Sequence, residues 1–299
     1  MDNKQLLTTP QLIKHMESKG INFDLFDKTK TRLFLDNVNY YYKVASYRSN
    51  FPKDSDGKYI NLDFAYLTDL ASIDMQLRDY LLDITLDIEH GIKVLLLKQI
   101  ANDPDEDGYQ VVLKYKDRFP KLFDSVLLQF RHNKYEHDMY NRHHSNMPIW
   151  VLMEIISFGM LSRFVEFYYR ETRFKRIKPF NDQLKFCKNI RNACAHSNPL
   201  LVNLFSEKEF LKKPTASIQA SARLIGIPRY YLSDLKINDL VATFHLHKLI
   251  QSKKMQEHRV RQGRRLITRY HRHENWYADN TKLNSLFSIL NKMIDYLEK

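Results

Sequence analysis

Three residues near the middle of the chain have side chains suited to chemistry: Arg191, Asn192 and His196. They lie in the stretch Lys185-Phe186-Cys187-Lys188-Asn189-Ile190-Arg191-Asn192-Ala193-Cys194-Ala195-His196-Ser197-Asn198-Pro199. An arginine offers two donors at once to phosphate oxygens. A histidine moves a proton more readily near neutral pH than any other unperturbed side chain. No carboxylate stands beside them in the sequence. A cation, an amide and an imidazole together suit phosphodiester chemistry. The Arg-x4-His spacing is weak support by itself, because about one such match arises by chance in a chain this rich in both residues. A surface helix that happens to end in histidine has the same pattern.

Those side chains need an element to hold them, and the stretch reads as a helix. Asn181 or Asp182, just after Pro179, can cap its start. Asn198-Pro199 can end it, since a residue before proline is pushed away from helical angles. At about 100° per residue, Leu184, Cys187, Ile190 and Cys194 share one apolar face. Lys185, Asn189, Asn192 and His196 form a polar strip on the other side, with Asn192 and His196 neighbours at i, i+4. Arg191 lies between the faces, and its long side chain can bend to the polar strip.

The composition points to an anionic partner. The 299 residues carry a net charge of +12, and the isoelectric point is near 9.4, as expected for contact with nucleic acid or a membrane surface. The two cysteines, Cys187 and Cys194, share the apolar face of one helix. That implies packing roles and a reducing, cytoplasmic compartment. No N-terminal stretch pairs a charged start with an apolar run, so no signal peptide is expected. The longest apolar stretch, Ile149 to Met160, contains Glu154 and is too short to span a bilayer. Glycine is scarce, and leucine and lysine are frequent, which favours an all-α fold. No internal repeat or low-complexity tract is present.

In chain order, Thr9 can cap a first helix with Pro10 in its first turn, and a second helix is expected from about Lys28 to Asn37. Tyr40, Tyr41, Tyr42 and Tyr47 suit packing with a hydroxyl at the surface, or stacking on bases; packing is the plainer reading. The polar turn at residues 53–58 marks the best boundary, between an N-terminal helical segment (1–55) packed on the core and the remaining chain (59–299). From Phe64 to Ile100, Leu67, Leu70, Ile73, Leu77, Leu81, Ile84, Ile88, Ile92 and Leu95 recur every three or four residues. Arg78, Glu89 and His90 on its other faces read as a solvated or salt-bridged surface. The acidic stretch 102–109 lacks the spacing of a calcium loop, and Arg131, His132, His137, Arg142, His143 and His144 match no zinc pattern. No metal or other cofactor is expected. Residues 147–170 read as one apolar helix starting near Pro148 and bent at Ser157-Phe158-Gly159. Within it Glu154 could accept a hydrogen bond from an active-site group or from a core amide. Ser206 to Glu209 can start another turn, Leu235 to Leu249 reads as helical, and Thr281 to Leu297 as amphipathic. Between the last two, residues 253–273 hold eight Lys or Arg against one Glu. A solvated helix face is the plain reading of such a run, but the density of arginine favours nucleic acid: with Lys185 and Lys188, the arginines Arg259, Arg261, Arg264, Arg265, Arg269 and Arg272 form the expected nucleic-acid-binding set.

Several segments, in order, resemble the Abi-like abortive-infection family of bacteria (the AbiD/AbiF type). They are Leu7-Thr8-Thr9-Pro10-Gln11-Leu12, Ser18-Lys19-Gly20-Ile21, Leu35-Asp36-Asn37-Val38-Asn39-Tyr40-Tyr41-Tyr42 and Ser46-Tyr47. Asp74-Met75-Gln76-Leu77-Arg78, Ile88-Glu89, Pro148-Ile149-Trp150, Glu154, Ser157-Phe158-Gly159-Met160-Leu161-Ser162 and Ile190-Arg191-Asn192-Ala193-Cys194-Ala195-His196 follow. The resemblance covers about residues 7–205 and is less clear beyond. It implies a branch of the all-helical HEPN superfamily: a HEPN-type bundle with an N-terminal helical segment and a helical C-terminal extension. In that superfamily an Arg-x4-6-His motif, often with Asn after the Arg, cuts RNA. Here those positions are Arg191, Asn192 and His196, and Ser197 stands where a second histidine is usual.

The resemblance therefore implies a metal-independent endoribonuclease of an anti-phage defence or toxin-type system. His196 would act as acid or base, Arg191 would hold the scissile phosphate, and Asn192 would orient either. A 2′,3′-cyclic phosphate would be left. One histidine cannot easily serve as both acid and base, so two copies would share a site in a homodimer. The expected partners are RNA, as substrate or regulator, and a second copy of the chain, with no membrane. The rival readings are a non-catalytic helical RNA-binding protein and a regulated toxin–antitoxin component.

Overall fold

The computed structural model describes residues 5–207 and 210–299. Among the described residues the fold is all-α, with fourteen α-helices and one two-stranded parallel sheet. The helices are α1 (Thr9–Ser18), α2 (Lys28–Asn37), α3 (Tyr41–Ser46), α4 (Phe64–Ala101), α5 (Gln110–Arg118), α6 (Pro120–His132), α7 (His137–His143), α8 (Ile149–Ile155), α9 (Phe158–Thr172), α10 (Lys178–Ala195), α11 (Ala216–Ile225), α12 (Leu235–Ile250), α13 (Lys253–His271) and α14 (Thr281–Glu298). The strands are β1 (Ile21–Asn22) and β2 (Leu62–Asp63).

The axis of the fold is α4. All nine of its predicted apolar positions, Leu67 to Leu95, are buried. At 1.5 Å per residue its 38 residues span about 57 Å, long enough to pack against α10, α12 and α13. The Asp63 side chain caps its start, accepting from the Ala65 amide at 2.8 Å, and its other oxygen accepts from Asp24 and Leu25. So one carboxylate starts the helix and ties down the N-terminal segment. Gly20 (φ +80°) turns the chain into β1, where a Cβ would lie 2.8 Å from the Tyr59 carbonyl oxygen.

The helix α12 is buried all round: every residue from Ile237 to His247 lies inside. Its central place was not apparent from a single apolar stripe. It packs on α10, α4, α11 and α14, and α13 runs antiparallel to α14 and packs on α4. Gly263 of α13 lets that pair close up, because a Cβ there would meet Ile294 at 2.7 Å and the Tyr80 hydroxyl at 2.8 Å.

Several expectations need correction. Thr8, not Thr9, precedes α1: the Gln11 Oε1 atom accepts from the Thr8 amide at 2.8 Å and from its hydroxyl at 2.9 Å, a capping-box contact. The single bent helix over 147–170 is two helices. Ile156 is extended (ψ 129°), and Ser157 caps α9 by accepting from the Met160 amide at 3.4 Å. Pro179 lies inside the first turn of α10, so that helix starts at Lys178, and Asn181 and Asp182 are helical rather than capping residues. Tyr47 is buried, whereas Tyr40 and Tyr42 are exposed, so packing accounts for only part of the tyrosine cluster. Of the turn expected at 206–209, Lys208 and Glu209 lie outside the described residues.

Arg78 is buried rather than solvated, and so is its partner Asp74. Asp74 Oδ1 accepts from the amides of Leu200 and Leu201, both at 2.9 Å. Asp74 Oδ2 accepts from the Tyr47 hydroxyl at 2.8 Å and from the Arg78 guanidinium. Asn50 adds a hydrogen bond to the Leu201 carbonyl at 2.6 Å. Further along, Asp234 accepts from Phe205 at 2.8 Å with one oxygen and caps α12 with the other. The segment after α10 is thus strapped to α4 and α12.

Two stability predictions follow. Asp74→Ala leaves Arg78 buried without its counter-charge and should destabilise by about 3–5 kcal/mol; a urea midpoint within error of wild type would disprove the role given to Asp74. The second concerns Asp239 on α12. It is buried among amide donors, Asn189 at 3.0 Å and Asn238 at 3.1 Å, with no cation partner among the described residues. Burial pushes its carboxyl up to about 6, from an ordinary value of 3.8, against the pull of those two amides. A raised folded-state value means the contribution to stability is full below pH 3.8 and fades as pH rises through about 6. Between pH 4 and 7 that contribution should fall by up to about 3 kcal/mol. Asp239→Asn should remove this part of the pH dependence, read from urea titrations at several pH values; a variant curve parallel to wild type would refute it.

Candidate functional site

The polar end of α10 is built by its apolar face. Leu184, Cys187, Ile190 and Cys194 are buried, as expected, and α10 packs on α12, α4 and α9. Burial pushes the Cys194 thiol up to about 12 and the Cys187 thiol higher still, so both are packing groups rather than nucleophiles.

The helix stops by its own hydrogen bonding before the proline is reached. His196 is the capping residue (φ −91°, ψ 10°), and its amide donates to the Asn192 carbonyl at 3.0 Å. Ser197 adopts a left-handed conformation (φ +54°). The Asn198 amide then reaches back to the Ala193 carbonyl at 2.8 Å. This termination leaves Asn192 and His196 exposed on neighbouring turns and Arg191 half-buried beside them. The Arg191 Nε is buried with no hydrogen-bond partner. Among the described residues, none of the three side chains forms a hydrogen bond or ion pair.

That is unlike the enclosed arginines that tie α4 to the rest of the fold. Arg78 is paired with Asp74, Arg259 with Asp83 and Asp87, and Arg269 with Asp69. Arg191, like the half-buried Lys43, Arg48, Lys188 and Lys248, has no carboxylate partner among the described residues, and its buried Nε also lacks any hydrogen-bond acceptor.

The remaining candidates separate into two sets. Lys185 is exposed and Lys188 half-buried, and both line a cleft between α9 and α10. On α13 the basic run divides. Arg259 is buried, with its Nε 2.7 Å from Asp87 and its Nη1 2.7 Å from Asp83. Arg264 bonds Asn291 at 2.8 Å, Asp295 at 2.7 Å and Glu298 at 2.6 Å. Arg269 is held by Asp69, whose other oxygen accepts from Tyr277 at 2.8 Å. These three arginines hold the fold together. Arg261, Arg265 and Arg272 are exposed, with no ion pair among the described residues. Their partners explain the division: each carboxylate that captures Arg259 or Arg269 lies on α4, more than 170 residues away in sequence.

The Asp87 carboxylate also accepts from His247 Nε2 at 3.0 Å. Burial alone would raise the Asp87 carboxyl, but hydrogen bonds from Arg259 and His247 outweigh it and hold it at about 2. Burial lowers the His247 imidazole against the pull of Asp87.

Glu154 is exposed near the end of α8 and takes no hydrogen bond from a described group. It therefore binds no core amide. Neither the acidic loop nor the histidines at 132–144 gather into a cluster: among the described residues no group of three or more His, Cys, Asp or Glu is arranged to hold a metal ion. Among them, too, no helix is long and apolar enough to cross a membrane.

Arg163, Arg170 and Arg173, which face Lys185 and Lys188 across the same cleft, were missed at the level of sequence. The available signal was the run Arg170-Glu171-Thr172-Arg173-Phe174-Lys175-Arg176-Ile177-Lys178, with five cations against one carboxylate.

No curated protein and no solved structure matches the chain. A family profile does. It is described as Abi-like protein, and it matches residues 33–202, from α2 through α4, α8, α9 and α10 to the strap that follows His196. The matched span is more than half of the 299 residues, and the chain belongs to the Abi-like protein family.

Proposed function

We propose that the protein is a HEPN-type, metal-independent endoribonuclease whose site is the exposed end of α10. Family membership suggests a role in abortive infection or defence, and cutting RNA is a direct way to exert one. The observation that carries the reading is the unmatched Arg191: a half-buried cation with an open donor, beside an exposed amide and imidazole. A phosphate oxygen would satisfy that donor and neutralise the charge.

In the proposed reaction, the ribose 2′-hydroxyl loses its proton and its oxygen attacks the adjacent phosphorus. The bond to the 5′-oxygen breaks as that oxygen gains a proton. The products are a 2′,3′-cyclic phosphate and a 5′-hydroxyl. His196 handles one of the two proton transfers. Arg191 binds the non-bridging oxygens as negative charge builds on them. Asn192, one turn before His196, orients the imidazole or the phosphate. A second His196 from another copy supplies the other transfer, so the active form is a homodimer with two α10 ends facing each other.

The alternative, a non-catalytic RNA-binding protein, rested on the basic run 253–273. It loses weight because Arg259, Arg264 and Arg269 are engaged by carboxylates.

Two experiments test this reading. Purified protein incubated with RNA in excess EDTA should cleave it, and His196→Ala or Arg191→Ala should each lower the rate by at least about 100-fold. Cleavage that vanishes in EDTA, or that survives both substitutions, rejects the mechanism. The dimer has its own test. Asn192→Cys places a thiol on the proposed two-fold contact, while both native thiols are buried. Mild oxidation should yield a covalent dimer of the variant and none of the wild type; a variant that stays monomeric under oxidation removes the shared site.

A further inference from the structure

We infer that the cleft between α9 and α10 is a track for single-stranded RNA, leading the strand to the end of α10. The direction of the track rests on the ribonuclease reading; its capacity to bind RNA does not. The cleft encloses about 650 Å³. Five cations line it, Arg163, Arg170, Arg173, Lys185 and Lys188, against two carboxylates, Glu166 and Asp182. Those carboxylates are already shared. Glu166 is divided between Arg163 at 3.1 Å and Arg170 at 2.6 Å, and Asp182 is held by Lys178 at 2.5 Å. Arg173, Lys185 and Lys188 have no carboxylate partner among the described residues, so the cleft retains positive charge that an anion can answer.

The shape of that charge fits a nucleic acid strand. Arg173 closes α9 in a left-handed conformation (φ +55°), and its guanidinium sits 5.7 Å from the centre of the Tyr169 ring. An aromatic face with a cation beside it is a stacking platform for a base. Lys185 and Lys188 lie one turn apart on α10. The same exposed strip continues through Asn189 and Asn192 to His196, about 16 Å from Lys185 along the axis. Phosphate contacts therefore line up behind the proposed scissile position. A duplex hides its bases and is gripped across a wide, shallow groove, whereas a confined cleft with one ring face suits one unpaired strand.

The test uses the full chain carrying His196→Ala, so that binding is read without cleavage. The probe is a fluorescent single-stranded RNA of about twelve nucleotides, followed by anisotropy across a salt series. Adding Arg173→Gln, Lys185→Gln and Lys188→Gln should weaken binding at least ten-fold. It should also make the dependence of log affinity on log salt shallower by about 2, at about 0.7 per lost phosphate contact. The glutamines keep the side-chain stems and all three positions lie at the surface or rim, so the variant should melt with the parent; if it does not, single substitutions read by the same slope replace it. Arg261→Gln with Arg265→Gln on α13 should leave the slope closer to that of the parent than the cleft variant does. Unchanged affinity and slope in the cleft variant overturn the track, even if His196-dependent cleavage is intact. Equal competition by duplex RNA overturns the single-strand claim, and equal competition by polyglutamate would make the partner an acidic protein. Loss of binding in the cleft variant, with no cleavage by wild-type protein that keeps His196, keeps the track and removes the ribonuclease.

Discussion

The arrangement depends on one buried carboxylate. Asp74 takes four donors from three parts of the chain: Tyr47 from the N-terminal segment, Arg78 from its own helix, and the Leu200 and Leu201 amides from the segment after α10. A buried carboxylate is tolerable only when its charge and lone pairs are answered, and here both are. The segment it grips begins four residues after His196. Its other holds, Asn50 on Leu201 and Asp234 on Phe205, fix the same backbone from two more sides. The direction in which the chain leaves α10, and so the exposure of its last turn, is set by groups that never touch Arg191 or His196.

The same logic repeats along α4. Asp69, Asp83 and Asp87 each meet an arginine of α13, and Asp87 meets a histidine of α12 as well. These pairs are not the main source of stability, since desolvating a charge offsets much of its attraction. They give register. An apolar contact between two helices tolerates sliding; a guanidinium forked onto a carboxylate does not. The pairs fix how α13 lies along α4. The helix carrying the proposed site rests on α12 and α4.

Much of this was legible in the sequence. Periodicity located α4, the apolar face of α10, and α14, because amphipathic helices carry their burial pattern in their spacing. The all-α class followed from composition, and the family resemblance agrees with the profile match. The misses share a cause. The central place of α12 was hidden because a helix buried all round has no polar face to give it a stripe. The basic run 253–273 looked like one surface because the carboxylates that claim Arg259 and Arg269 are far away in sequence. The break at Ile156 and Ser157 turned on one extended residue and one hydroxyl cap. Arg78 read as part of a solvated or salt-bridged surface, although Asp74, four residues before it, already permitted a buried pair. The residues of the proposed site were readable as chemistry, yet only the fold shows Arg191 without a carboxylate.

The profile match stops at residue 202, while α12, α13 and α14 lie beyond it. Yet α10 leans on α12, and α4 sends Asp69, Asp83 and Asp87 to meet arginines of α13. The matched span is therefore not an autonomous folding unit in this chain. Cut free at its border, it would bare the apolar flank of the motif-bearing helix and strand acidic groups with no counter-ions. Whatever chemistry resides at the end of α10 is physically hostage to the 97 residues that follow the profile's last matched position.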